Sequence, residues 1–131
     1  MKKTIYLAGK MDGLTKEEAM TWRVKAKNKL QHLYNVNMPE YDYCEGFANL
    51  MWDRDYFLLD QSDILLVNFD YEKDSPFLGT SIEIGRALYQ RKPIIIFSTQ
   101  KWVHESLTLQ YHASAIVNTL DEAIDVINSF C

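Results

Sequence analysis

Short apolar runs alternate with longer amphipathic stretches along the whole chain. A continuous apolar run bounded by turn residues is typical of a strand that is buried on both faces of a sheet. The clearest such run is DILLVNF, and the weakest is YNVNM. Strands are predicted at residues 4–8, 34–38, 63–69, 93–97 and 115–117.

Between these runs, apolar residues recur at spacings of three and four, which is the period of a helix with one buried face. Thr15 with Glu18 predicts the beginning of the first helix through a capping box, and Thr119 with Glu122 predicts the beginning of the last. The predicted buried face of the first helix carries Ala19, Trp22, Ala26 and Leu30. Helices are predicted at about residues 15–33, 47–59, 80–90, 103–110 and 120–130.

This alternation of strands and helices indicates an α/β fold, with a parallel sheet covered by helices on both faces. Because crossovers between parallel strands are right-handed, we expect a three-layer sandwich around a doubly wound five-stranded parallel sheet. We favour the flavodoxin-like strand order 2-1-3-4-5 over the longer Rossmann order. At 131 residues, without a repeat or a linker, the chain is expected to form one domain, residues 1–131.

Composition narrows the classes of function. The net charge of −4 comes without a basic stripe, which argues against a nucleic-acid polymer as partner. No apolar run is long enough to span a bilayer and the N-terminus does not resemble a signal peptide, so we expect no membrane partner and a cytoplasmic protein. Cys44 and Cys131 fit a reducing compartment. Neither the cysteines nor the histidines have the spacing of metal ligands, and we expect no metal and no cofactor.

The segment FLGTSIEIGRA, residues 77–87, carries the strongest candidate for chemistry. It lies at the carboxyl edge of the predicted sheet, where such folds bind ligands. Glu83 is a single carboxylate among its apolar and small residues. Gly79 lets the backbone approach a ligand, and Thr80 or Ser81 can cap the helix so that its N–H groups face the pocket. The alternative is that Glu83 is simply favoured by the dipole in the first turn of a helix.

Three other residues are candidates for the same site. Asp55 lies in a strongly apolar stretch, and a pair of carboxylates with Glu83 suits chemistry at a glycosidic carbon, where one is the nucleophile and the other handles a proton. Tyr6 either hydrogen-bonds a carboxylate in the pocket or is a core residue. Lys10 is either a phosphate donor or an exposed loop lysine. The loop that carries it is neither a dinucleotide fingerprint nor a P-loop.

Three segments give the chain a resemblance to a known family: IYLAGKM at residues 5–11, Asp55 ahead of SDILLVNFD, and GTSIEIGRALYQRKPIII. Over nearly the whole chain they resemble the nucleoside 2-deoxyribosyltransferase family, which includes 2′-deoxynucleoside 5′-monophosphate N-hydrolases. The resemblance implies the five-stranded fold, a small-molecule nucleoside or nucleotide and a free base as ligands, and a homodimer or larger homo-oligomer. Residues 41–47 and 111–118 are candidates for lining the pocket or such an interface.

The resemblance also implies roles for individual residues. Glu83 matches the glutamate of the GT-x-x-E-x-G element, which is the family's nucleophile at C1′ of the sugar. Tyr6 matches the tyrosine that holds this glutamate, and Asp55 matches the aspartate that serves proton transfer at the leaving base. Met11 matches the residue that packs on the base, and Gly9 lets the ligand approach. The implied mechanism has two displacements: Glu83 displaces the base, and a second base or water then attacks the glycosyl ester.

The chain departs from the family pattern at two positions. Six residues before the glutamate, transferases tend to have an aspartate and the monophosphate hydrolases a serine, whereas this chain has Phe77, with Asp74 and Ser75 nearby. Lys10 replaces the usual proline and favours a phosphate, which Asp12 opposes. The alternatives are therefore a transferase, which we prefer, a monophosphate hydrolase, and a non-catalytic nucleotide-binding module on the same fold.

Overall fold

The computed structural model describes residues 1–41 and 46–131, and within them it confirms the predicted α/β architecture. Five parallel strands form a sheet in the predicted order, β2-β1-β3-β4-β5. The strands are β1 (Thr4–Gly9), β2 (Asn35–Asn37), β3 (Ile64–Asn68), β4 (Ile94–Phe97) and β5 (Ala115–Val117). The helices are α1 (Lys16–Leu30), α2 (Ala48–Asp60), α3 (Leu78–Tyr89), α4 (Lys101–Glu105), α5 (Leu107–His112) and α6 (Leu120–Phe130). Part of the predicted 41–47 candidate segment, residues 42–45, lies outside the described residues.

Alternate side chains of the strands enter apolar layers on opposite faces of the sheet. In β1, Ile5 and Leu7 pack with α1 and α6, whereas Tyr6 and Ala8 pack with α2, α3 and α4. Burial on both faces explains why the interior strands are continuous apolar runs in the sequence. The alternation also places Tyr6 on the side of the sheet that carries α2 and α3.

Helix α1 begins where the capping box predicts it. The Glu18 N–H donates to Thr15 Oγ1 at 3.1 Å, and the Thr15 N–H donates to the Glu18 carboxylate at 2.9 Å. The helix ends at Leu30 rather than near residue 33, because the chain turns there and the Tyr34 N–H bonds the Leu30 carbonyl at 2.9 Å. Its buried residues are Ala19, Arg23, Ala26 and Leu30. Arg23 is thus buried in addition to three of the predicted residues, and the fourth, Trp22, is partly buried against the core.

Helix α3 begins at Leu78, earlier than predicted, and this corrects the expectation for its cap. Phe77 occupies the N-cap position and no side chain caps the helix there, so the predicted cap at Thr80 or Ser81 is wrong. Ser81 Oγ instead donates to the Phe77 carbonyl at 3.1 Å, within the first turn. Glu83 therefore lies beyond the first turn, where the helix dipole no longer accounts for it.

The predicted helix at residues 103–110 is divided into α4 and α5. Ser106 between them has an extended backbone, with ψ 115°, and its Oγ accepts the Leu109 N–H at 3.3 Å, so a second helix begins there. Helix α6 has its predicted bounds, with Thr119 Oγ1 accepting the Glu122 N–H at 3.2 Å. Within the described ranges, no helix combines the length and the apolar character that crossing a membrane requires.

Helices α2 and α3 are held side by side by a column of side chains. Arg86 donates from Nε and Nη2 to the two carboxylate oxygens of Asp60, each at 2.7 Å. These hydrogen bonds lower the pKa of Asp60 to about 2. The Arg86 guanidinium lies 4.8 Å from the centre of the Tyr56 ring, and that ring lies 5.4 Å from Trp52. The column fixes the two helices that supply the candidate carboxylates.

Candidate active site

A cavity of about 480 Å³ lies at the carboxyl edge of the sheet. This volume is in the range of sites that bind small molecules. The cavity is formed by the loop after β1, by residues before and within α2, and by the beginning of α3. Its lining residues are Gly9, Lys10, Met11, Asp12, Gly13, Pro39, Glu40, Tyr41, Ala48, Met51, Trp52, Asp55, Pro76, Phe77, Leu78, Gly79, Thr80 and Glu83.

The cavity brings together the residues predicted for the site, except Tyr6 and Ser81. Tyr6 is fully buried next to Glu83, and Ser81 is exposed on α3 outside the lining. The polar residues near Phe77 do not reach the cavity either. Asp74 is exposed, and Ser75 Oγ donates to the Glu72 carbonyl at 2.8 Å.

Glu83 presents a nearly buried carboxyl to this cavity, with 4 % of its surface exposed. Burial raises the pKa of Glu83 to about 7, the Tyr6 hydroxyl and the Arg23 charge act to lower it, and the Asp55 charge acts to raise it. A carboxyl with a pKa of about 7 is partly ionised at physiological pH in an apolar setting. This is the condition in which a carboxylate serves as a nucleophile or a base.

After burial, the Tyr6 hydroxyl has the largest effect on the pKa of Glu83. Burial raises the pKa of Tyr6 far above its ordinary value, and the negative charge of Glu83 acts in the same direction. Within the described part of the chain the hydroxyl has no partner in full hydrogen-bonding geometry, yet it interacts with Glu83 closely enough to lower the pKa of that carboxyl. The contact between the Tyr6 hydroxyl and the Glu83 carboxyl is thus looser than an ordinary hydrogen bond.

Asp55 brings a second carboxyl to the cavity from α2. Its side chain is 15 % exposed, and its Oδ1 accepts from Arg54 Nε at 3.3 Å. The charge of Asp55 acts on both Glu83 and Tyr6. Two neighbouring helices therefore direct one carboxyl each into the same space.

Tyr71, which the sequence analysis did not single out, shapes the loop after β1. The Lys10 N–H donates to Tyr71 Oη at 2.6 Å, and Lys10 Nζ lies 5.9 Å from the centre of the Tyr71 ring. Burial raises the pKa of Tyr71 to about 12. A Cβ atom on Gly9 would lie 2.9 Å from the Tyr71 hydroxyl and 3.0 Å from the Trp22 ring. Gly9 is thus needed for the close approach of these side chains.

Phe77 forms a fixed apolar wall of the cavity. Its ring stacks on Trp102, with centres 5.4 Å apart, and packs against Phe69 at 5.2 Å. Trp102 is itself held by a hydrogen bond of 2.9 Å from its Nε1 to the Tyr71 carbonyl. The residue at which the family pattern offers an aspartate or a serine is here an immobilised phenyl ring.

Gly79 makes room for a tryptophan of α2. A Cβ atom at this position would lie 2.7 Å from Cη2 of Trp52, whereas a Cβ atom on Gly85, in the same helix, would meet nothing within 4 Å. The Trp52 ring therefore lies directly against the backbone at the beginning of α3. Both Trp52 and Gly79 line the cavity, so this contact forms part of its wall.

We expect Gly79→Ala to leave the protein less stable than Gly85→Ala does. Alanine is favoured over glycine in a helix, so Gly85→Ala should stabilise the protein by about 0.5–1 kcal/mol. Gly79→Ala forces the Trp52 ring to move, and its stability should fall about 1–2 kcal/mol below that of Gly85→Ala. Urea unfolding of both variants measures the difference. Equal stabilisation by the two substitutions would contradict the packing described for Trp52.

A second depression, of about 540 Å³, lies at the opposite end of the sheet. It is lined by Thr4, Lys27, Gln31, Tyr34, Asn35, Val36, Asn37 and Gln61. Among the described residues, this lining includes no carboxyl, imidazole or thiol, so it lacks the chemistry of the first cavity. Residues 1–41 and 46–131 also contain no group of three or more His, Cys, Asp or Glu placed to hold a metal ion.

A family model described as nucleoside 2-deoxyribosyltransferase matches residues 5–121. The chain therefore belongs to the nucleoside 2-deoxyribosyltransferase family, whose members are glycosyl transferases or N-glycosidases. Comparison of the sequence with curated proteins gives no match.

Solved structures of two transferases and one N-glycosidase share the fold. The 2-deoxyribosyltransferase of Leishmania mexicana has a TM-score of 0.79 at 16 % identity, with 98 % of this chain and 99 % of that chain covered. The 2-deoxyribosyltransferase of Bacillus psychrosaccharolyticus has a TM-score of 0.72 at 19 % identity, with 95 % and 90 % covered. The CMP N-glycosidase of Clostridium botulinum has a TM-score of 0.63 at 19 % identity, with 98 % and 100 % covered.

Proposed function

We propose that this chain cleaves the N-glycosidic bond of a nucleoside or deoxynucleoside, with Glu83 as the nucleophile. The observation that carries the proposal is the buried Glu83 carboxyl, which faces a cavity of small-molecule size together with the carboxyl of Asp55. Membership of a family of transferases and N-glycosidases supports the same class of reaction. The fold alone would not support it, because one fold serves many functions.

In the first displacement, the ionised Glu83 oxygen attacks C1′ of the sugar. A C1′–O bond forms and the C1′–N bond breaks, and the electron pair of that bond leaves with the base. Asp55 lies at the same cavity and serves proton transfer to the leaving base. Tyr6 holds the attacking carboxylate by donating from its hydroxyl once the loose contact closes.

In the second displacement, a nitrogen of an incoming base or a water oxygen attacks C1′ of the glycosyl ester. The ester C1′–O bond breaks and its electron pair returns to Glu83, which regenerates the carboxylate. Asp55, which has given a proton to the leaving base, takes up the proton that the incoming nitrogen or water releases. Two inversions at C1′ give overall retention, as in retaining glycosidases. An incoming base makes the enzyme a transferase, and water makes it a hydrolase.

The charges around the cavity favour an uncharged nucleoside over a 5′-monophosphate. Among the described lining residues, Lys10 is the one basic side chain, against the carboxyl groups of Asp12, Glu40, Asp55 and Glu83. A phosphate dianion would be repelled by these carboxylates at close range. We therefore prefer the nucleoside transferase over the monophosphate hydrolase.

A chromatographic assay of free base tests the proposal. Nucleosides, deoxynucleosides and their 5′-monophosphates are each supplied with and without a second acceptor base. We expect release from an unphosphorylated substrate that depends on the acceptor. Release from monophosphates in water alone, lost in Lys10→Ala, would instead support the hydrolase. Binding of these ligands without any release would support the non-catalytic module.

We also propose that the chain forms a homo-oligomer, as the family resemblance implies. Large apolar side chains on α2 and α3 support this, because exposed apolar surface often marks a contact site. These exposed side chains are Leu50, Phe57, Leu78, Ile82 and Tyr89. Light scattering should give at least a dimeric mass, and a monomeric mass at high concentration would contradict the proposal.

A further inference from the structure

Trp52 lines the cavity from α2 while part of its large apolar surface remains exposed. The exposed fraction of the residue is 37 %. A tryptophan that served packing alone would bury most of its surface, because burial is what makes so large a side chain stabilising. Open indole surface at the wall of a cavity of small-molecule size can instead contact a ligand.

The indole of Trp52 is held in place by neighbours from both helices. The outer edge of its six-membered ring lies against the backbone of Gly79, where a Cβ atom would be 2.7 Å from Cη2. The Tyr56 ring, one turn further along α2, has its centre 5.4 Å away and is inclined by 32°. The Arg86 guanidinium in turn lies 4.8 Å from the centre of the Tyr56 ring. A ring fixed in this way loses little conformational freedom when a planar ligand packs on it.

Trp52 and Asp55 share one face of α2. They are three residues apart, so their Cβ atoms are about 5–6 Å from each other. Both line the cavity, as do Ala48 and Met51 from the preceding turn. A general acid must approach the nitrogen that it protonates to within about 2.6–3.2 Å. A base that receives its proton from Asp55 therefore lies within reach of the Trp52 ring.

Two other aromatic residues line the described part of the cavity, Tyr41 and Phe77. The Phe77 ring stacks on Trp102 with an angle of 26° between the rings, so one of its faces is occupied. Tyr41 precedes α2, and its hydroxyl donates to the Leu14 carbonyl at 2.6 Å. Neither residue belongs to the helix that carries Asp55. Of these three rings, that of Trp52 is the one placed beside the proposed proton donor.

Stacking on an indole strengthens with the area of the partner, so a bicyclic purine gains more from it than a monocyclic pyrimidine. We propose that Trp52 is a specificity-determining residue, whose indole stacks on the leaving base and favours purines over pyrimidines. This inference rests on the proposed function, in which Asp55 protonates that base. The stacking contact forms with the free base as well as with the nucleoside, so it contributes to binding and to the choice of substrate.

The test is isothermal titration calorimetry with free adenine and free cytosine, which needs no turnover. We expect the wild-type chain to bind adenine more tightly than cytosine. Trp52→Leu should weaken adenine binding by about 10-fold or more and cytosine binding by about threefold or less. Trp52→Phe keeps an aromatic ring and should keep most of the affinity for adenine. Phe130→Leu, at a residue of α6 that is 84 % exposed, is the control and should bind both bases as the wild type does.

An unchanged affinity for adenine in Trp52→Leu would overturn the inference. Equal losses for the two bases would also overturn it, because a general change in cavity shape, unlike stacking, does not depend on the area of the base. The same holds for a wild-type chain that binds cytosine as tightly as adenine, or that does not bind adenine at millimolar concentration.

Gly79→Ala decides the question if Trp52→Leu does not fold. The added Cβ atom forces the indole to move, whereas the Cβ atom of Gly85→Ala meets nothing within 4 Å. Gly79→Ala should therefore bind adenine severalfold more weakly than Gly85→Ala. Equal affinities of these two variants for adenine would overturn the inference.

Kinetics separate this inference from the proposed function. In an active enzyme, Trp52→Leu should raise KM for a purine nucleoside with kcat nearly unchanged, whereas Glu83→Gln should lose kcat and still bind adenine. A chain that releases no base from any nucleoside, yet shows the Trp52-dependent preference for adenine, would overturn the proposed function and support the stacking contact. An active enzyme whose adenine affinity is unchanged in Trp52→Leu would overturn the stacking contact alone.

Discussion

Replacing Glu83 with glutamine is expected to abolish base release and, at neutral pH, to make the protein more stable. Glutamine has nearly the shape of glutamate, so the fold and the cavity are kept. It has no carboxylate to attack C1′, and the rate of base release should fall by at least about a thousand-fold. Both effects follow from removing one buried carboxyl. The nucleophile is lost, and the folded protein no longer has to hold an ionisable group in an apolar setting.

The gain in stability follows from the raised pKa of Glu83. The folded protein holds the Glu83 proton up to a pKa of about 7, whereas the ordinary value is 4.5. Between these values the unfolded chain binds fewer protons than the folded one, so wild-type stability falls as pH rises from about 4.5 to 7. The total loss is roughly 3 kcal/mol. Glutamine does not titrate, so Glu83→Gln escapes this loss.

Urea unfolding of wild type and Glu83→Gln at pH 4 and pH 8 measures the effect, with base release measured on the same samples. The two proteins should be about equally stable at pH 4, and the variant should be more stable at pH 8. Glu105→Gln, an exposed change on α4, is the control and should leave both properties unchanged. Base release by Glu83→Gln at the wild-type rate would remove the nucleophile assignment, and an equal difference at both pH values would remove the ionisation argument.

The fold could be predicted because its signals are local. Buried strands of a parallel sheet are continuous apolar runs in the sequence. The beginnings of two helices are predicted by the pairs Thr15 with Glu18 and Thr119 with Glu122. The start of α3 is harder to predict, because the helix has no capping side chain. Phe77 occupies its N-cap, whereas the preference of Thr80 and Ser81 for cap positions predicts a later start.

The candidate site was predicted in part. Glu83 stood out as a lone carboxylate among small and apolar residues. The sequence pattern does not single out Arg23, because the spacing from Ala19 to Trp22 already continues the predicted buried face. Positions 19, 23, 26 and 30 form a helical face equally well, and a charged residue within such a face is the signal that would have found it.

The contact between Trp52 and Gly79 carried no signal in the sequence. The two residues lie in different helices, far apart in the chain, and meet only because α2 and α3 pack side by side. From the sequence, Gly79 is predicted instead to let the backbone approach a ligand. Tertiary contacts of this kind depend on the packing of whole elements, which patterns along the chain do not specify.

The second large effect is expected for Tyr6→Phe, which should slow base release without weakening the fold. The hydroxyl has no fully formed hydrogen bond within the described residues, so its removal should leave stability unchanged or raise it by about 1 kcal/mol. Turnover should fall by about 10- to 100-fold, because Glu83 loses the donor that orients and stabilises its carboxylate. KM should change little, since Tyr6 does not line the cavity.

Tyr34→Phe is the matched control for Tyr6→Phe. Tyr34 Oη donates to the Ile127 carbonyl at 3.2 Å in the apolar layer on the other face of the sheet. Its removal should cost about 1 kcal/mol of stability and leave kcat unchanged. The two variants are therefore expected to show opposite patterns, measured by thermal unfolding and by kcat and KM. Loss of the Tyr6 donor should also move the acidic limb of the pH profile upward, because that hydroxyl lowers the pKa of Glu83. An unchanged kcat in Tyr6→Phe would show that Tyr6 is a core residue and no part of the catalytic group.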